Sequence, residues 1–71
     1  MKLKEAKYQS YNAGLEAFGK FPCAPCLNAE FMATVPNCPM GDSKGCRLRI
    51  AMYTAYIKGW TIANLNAPIE V

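Results

Sequence analysis

The sequence contains no histidine. That removes every Ser/His/Asp and Cys/His arrangement and leaves thiolates, besides carboxylates, as the available zinc ligands. Acidic residues are sparse as well. Glu5, Glu16, Glu30, Asp42 and Glu70 are scattered along the chain and form no paired acid–base motif. There is no apolar run of about 18 residues, so no membrane-spanning helix is expected. The N-terminus, "MKLKEAKYQS", begins basic, but no apolar stretch of the signal-peptide kind follows it. The stretch "GDSKG" lacks the spacing and the preceding strand of a phosphate-binding loop. These absences predict a cytoplasmic protein that is not an enzyme, with no membrane partner and no small-molecule substrate.

What is present fits one small domain. The chain has 71 residues, 52% hydrophobic and 18% charged, a globular balance. A core of this size is marginal without a staple. The net charge is +3. Its distribution is the informative part: between Asp42 and Glu70 no acidic residue occurs, whereas Lys44, Arg47, Arg49 and Lys58 all do. The C-terminal third is therefore electropositive.

Hydrophobic spacing predicts an all-α fold. Over residues 3–19, Tyr8, Tyr11, Leu15 and Phe18 recur at helical intervals and form one apolar stripe. Beside it runs a stripe of small residues, Ala6, Ser10, Ala13 and Ala17. Gly14 costs a helix about 1 kcal/mol relative to alanine, and the small stripe offsets this if another backbone comes close. Gly19 suits the position after a helix end, and Pro22 bars continuation. Asn28 is placed to cap a short helix over 29–35 that Pro36 ends. The segment from Pro36 to Gly45 is rich in turn formers. Over 46–64, Cys46, Ile50, Tyr53, Ile57 and Trp60 form the strongest apolar stripe, with Ala55, Gly59 and Ala63 as a second small one. The expected architecture is a helical hairpin: two long antiparallel helices, a cysteine-rich connector over 20–45 containing a short third helix, and a tail over 65–71.

Four cysteines supply the candidate staple. Cys23 and Cys26 are separated by two residues, Cys38 follows after eleven more, and Cys46 after a further seven. A Cys-x2-Cys turn converges two sulfurs on one ion, and zinc takes four thiolates at ~2.3 Å. One structural zinc held by Cys23, Cys26, Cys38 and Cys46 is the preferred reading, since it supplies folding free energy that a short chain lacks. Cys46, at a helix start, would gain thiolate stabilisation there. Three other readings stand beside it. Two disulfides allow three pairings. "CAPC" differs by one residue from the thioredoxin dithiol "CGPC", although no strand precedes it. Reduced cysteines also serve as small core residues.

For binding, Lys44, Arg47, Arg49 and Lys58 are candidate phosphate contacts, weighed against an ordinary solvated face. Tyr53, Tyr56 and Trp60 could stack on unpaired bases. Tyr56 lies off the main apolar stripe and is the one expected to be available.

Two segments carry a family resemblance. "YNAGLEAFGKFPCAP" (11–25) followed by "YIKGWTIA" (56–63) resembles the ribosome modulation factor family of small bacterial proteins. Tyr11, Ala13, Gly14, Gly19, Lys20 and Cys23 match its first-helix and connector pattern, and Gly59, Trp60 and Ala63 match its second helix. The resemblance implies two helices with a connecting segment, and binding to the ribosome near the messenger channel that silences translation. The expected function is thus a ribosome- or rRNA-binding modulator. The alternative is a protein–protein inhibitor or adaptor of the kind phage and mobile elements encode, docking on a bacterial protein through Met52, Tyr56 and the "APIEV" tail.

Overall fold

The computed structural model describes residues 2–36 and 43–67, with the side chain of Ser43 excepted. The described residues are mainly helical and contain no strand. Helix α1 spans Leu3–Ala17, a 3₁₀ turn spans Pro25–Leu27, helix α2 spans Ala29–Met32, and helix α3 spans Ser43–Asn66. The expected tail beyond residue 67 lies outside the described residues.

Local chemistry accounts for the element ends. Helix α1 stops two residues earlier than expected. Phe18 leaves the helical region, Gly19 adopts φ +87°, and the Lys20 N–H donates to the Ala17 carbonyl at 2.9 Å. This is a turn of the kind that needs glycine at its third position. Asn28 caps α2 as expected: its side-chain oxygen accepts from the Phe31 N–H at 3.0 Å. Helix α2 nevertheless closes at Met32, and the Thr34 hydroxyl donates to the Phe31 carbonyl at 2.7 Å. Helix α3 runs further than expected at both ends, for 24 residues, a length of about 36 Å.

The two long helices run in the same direction. Lys7 and Tyr8 of α1 lie beside Ala51 and Ala55 of α3, while Phe18 meets Trp60 edge-on at 5.3 Å. The connector makes the return journey. The Phe21 carbonyl accepts from the Trp60 indole N–H at 2.9 Å, Asn28 reaches Tyr56, and the Phe31 ring packs at a tilt against Tyr53 as well as Tyr56. The expected antiparallel hairpin is therefore corrected to a parallel helix pair with the connector laid antiparallel along α3. The physical reason is loop length. Helical hairpins use connections of roughly 2–8 residues, whereas the 25 residues between Ala17 and Ser43 can span a 15-residue helix.

The buried faces also differ from expectation. Tyr8 is 69% exposed and Ile50 65% exposed, though both belong to the stripes expected to form the core. On α1 three members of the small stripe are buried instead, Ala6, Ser10 and Ala17, together with Gly14, while Ala13 is half-buried. Gly14 and Gly59 explain why. A Cβ on Gly14 would collide with the Tyr56 carbonyl oxygen and lie 2.8 Å from the Trp60 nitrogen. One on Gly59 would collide with the Tyr11 carbonyl oxygen and lie 3.1 Å from the Leu15 nitrogen. Ordinary side chains hold helices ~8–10 Å apart. Glycine on both sides removes that spacer and lets the backbones touch. The close approach anticipated from the small stripes is what sets the interface, and the aromatic stripes are turned to its flanks. Ala6, Ala17, Phe31, Met52 and Tyr56 make the core.

Candidate nucleic-acid interface

A helix pair has two lateral grooves. The connector fills one of them. Phe31 packs on the Tyr56 ring with centroids 4.6 Å apart, and the Asn28 amide donates to the Tyr56 hydroxyl at 3.1 Å. Tyr56 is 0% exposed. The sequence expectation that Tyr56 is available to a partner is therefore corrected. Its hydroxyl has a partner 28 positions away in the chain, which allows the whole side chain to be buried.

The four basic candidates are divided by the same architecture. Lys44, Arg47 and Lys58 are exposed. At 100° per residue they fall within roughly a 60° sector of α3. Arg49 lies roughly 160° around the helix from Arg47, on the connector side. There its guanidinium donates to the Tyr53 hydroxyl at 2.8 Å and sits 5.3 Å from that ring's centre. The Tyr53 hydroxyl in turn donates to the Met32 sulfur at 3.3 Å. Arg49 is thus half-buried and braces the connector, whereas the other three cations face away from it.

The second lateral groove stays open and encloses about 380 Å³. Its α1 wall is Lys7, Tyr8 and Tyr11. Its floor and α3 wall are Ala51, Ala55, Thr54 and Lys58. Among the described residues no carboxylate lines it. Among the described residues neither Lys7 nor Lys58 is tied in an ion pair. Lys4, one helical turn before Lys7, is exposed on the same side. Sequence reasoning placed Lys58 here but missed Lys7, Tyr8 and Tyr11. The signal was the Tyr8–Tyr11 spacing, which was assigned to the core.

The cysteines are in different states. Cys23 is a half-buried free thiol and Cys26 an exposed one, inside the 3₁₀ turn that opens with Pro25. Cys46 is disulfide-bonded. Cys38 lies outside the described residues. Among the described residues no three Cys, Asp or Glu side chains converge as a metal-holding group. A cystine sulfur is not a thiolate and does not act as a zinc ligand of the kind expected. Four thiolates are available only in the reduced chain.

No helix among the described residues is long and apolar enough to cross a membrane. Comparison with protein-family models, with curated proteins and with solved structures finds no match for the chain.

Proposed function

We propose that the protein is a non-catalytic, RNA-binding modulator that works on the ribosome. The observation that carries this reading is the open side of the helix pair, where exposed Lys44, Arg47 and Lys58 continue into a groove flanked by Lys7 and lined, among the described residues, by no carboxylate. Phosphate neutralisation dominates nucleic-acid affinity, and a one-sign face of this kind supplies it. The resemblance to the ribosome modulation factor family points the same way. Its matching residues include Tyr11, Gly14, Gly59 and Trp60, which meet at the helix crossing.

Of the docking patch expected for the adaptor reading, Met52 is 2% exposed and Tyr56 is 0% exposed, while the "APIEV" tail beyond Ala67 lies outside the described residues. Zinc belongs to the proposal only for the reduced chain, in which Cys46 regains a thiolate and Cys23, Cys26, Cys38 and Cys46 again offer four sulfurs.

Ribosome co-sedimentation at low salt tests the reading. The protein should pellet with ribosomes, and a variant carrying Lys44→Glu, Arg47→Glu and Lys58→Glu should remain in the supernatant. Absence of wild-type co-sedimentation at low salt would sink the proposal.

A further inference from the structure

We infer that the open groove between α1 and α3 is a stacking site for an unpaired nucleotide. In this site Tyr8 offers its ring to the base, and Lys7 and Lys58 hold the flanking phosphates. The inference rests on the RNA-binding reading and narrows it to single strands at a site on both helices.

Three features carry it. Tyr8 is a large aromatic left 69% exposed, while a tyrosine of the same protein that has a polar partner, Tyr56, is fully buried. Beneath it the α3 surface is kept low by Ala51 and Ala55, so a flat ring has room beside the tyrosine. The volume of about 380 Å³ falls within the ~300–1,000 Å³ range of small-ligand clefts. The third feature is charge: lysines stand on opposite walls, Lys7 on α1 and Lys58 on α3, and among the described residues no carboxylate lies between them. An aromatic platform inside a cationic channel is the arrangement that holds single-stranded nucleic acid with little regard to sequence. A duplex hides its base faces in the stack and offers this groove only its phosphates. An acidic peptide would satisfy the lysines but has no planar group for the Tyr8 ring.

Fluorescence anisotropy separates these cases. The probes are a labelled single-stranded oligouridylate, an RNA duplex of equal length, and inorganic polyphosphate as a base-free competitor. The single strand should bind more tightly than the duplex. Tyr8→Ala should weaken single-strand binding roughly 5- to 150-fold, the range for loss of one base–aromatic stack. Tyr8→Phe should stay within about twofold of wild type, because the ring is what stacks. Polyphosphate competition should be the same for wild type and Tyr8→Ala. Because Tyr8 is exposed, its removal should leave helicity by circular dichroism unchanged. If Tyr8→Ala binds the single strand as wild type does, or loses RNA and polyphosphate equally, the stacking inference is overturned. The wider reading then still stands, provided the Lys44/Arg47/Lys58 charge reversal abolishes binding. If wild type binds neither RNA, or binds only an acidic polypeptide such as polyglutamate, both fall together.

Discussion

The side-chain amide of Asn28 donates a hydrogen bond to the hydroxyl of Tyr56 at 3.1 Å, with both residues buried. The same Asn28 caps α2 through its oxygen. One side chain therefore fixes the start of the short helix and locks the connector onto α3. Tyr56→Phe would leave the Asn28 amide buried without this partner, at an expected cost of about 1–3 kcal/mol. Asn28→Ala should cost more, since a cap worth about 1 kcal/mol is lost as well. Urea unfolding of the two single variants and the double variant checks this. The cycle should show a coupling of at least about 0.5 kcal/mol, and additive effects would refute the shared role.

The glycine crossing makes a prediction of opposite sign to helix propensity. At an exposed helical site, Gly→Ala stabilises by about 1 kcal/mol. At Gly14 and Gly59 the added methyl meets backbone that no side-chain rotation can move aside. Gly14→Ala and Gly59→Ala are each expected to destabilise by about 1–3 kcal/mol. Thermal melts would register this as a midpoint lowered by several degrees, and a raised midpoint would mean that the helices do not touch there.

Ser10 is 1% exposed, and among the described residues its hydroxyl has no hydrogen-bond partner. An unpaired buried hydroxyl costs about 1–3 kcal/mol of desolvation. Alanine removes that cost, keeps the small stripe narrow and is a better helix former. Ser10→Ala should therefore raise the denaturation midpoint, by an amount equivalent to about 1 kcal/mol. A lower midpoint would show that the hydroxyl makes a bond in solution.

The sulfur chemistry is readable by alkylation. With no reductant present, iodoacetamide followed by peptide mass analysis should label exposed Cys26 quickly, half-buried Cys23 more slowly, and Cys46 only after reduction. Labelling of Cys46 without reductant would show a free thiol. The zinc reading has its own check: reduced protein incubated with zinc and then dialysed should retain one equivalent and melt at a lower temperature with chelator. Retention of none would end it.

Much of the fold was legible because local chemistry determines it. Gly19, Asn28 and Pro22 act within a few residues of themselves, and the cap and turn they signal are in place. The small stripes around Gly14 and Gly59 likewise announced a close backbone approach. What was not legible depends on distant partners. Apolar periodicity ranks faces by the area they could bury. It therefore favoured Tyr8 and Ile50 over a stripe whose advantage is closeness. Burial of Tyr56 needs a hydrogen-bond partner from the connector, and no pattern within α3 signals one. The parallel course of the long helices follows from the connector packing back along α3, again a long-range choice. On the functional side, three of the four basic candidates face the open side together. Arg49 does not, because the Tyr53 hydroxyl one turn along the helix holds its guanidinium.

The central claim is that the open face of the α1–α3 pair grips RNA through its phosphates. Its most direct test is the affinity for a single-stranded RNA measured between 50 and 200 mM salt. With about four phosphates neutralised, the slope of log K against log salt should lie near −3. It should become shallower by about 0.7 for Lys44→Gln, Arg47→Gln or Lys58→Gln and stay unchanged for Arg49→Gln. A slope near zero, or an Arg49 variant that lowers it as much as the other three, would contradict the account.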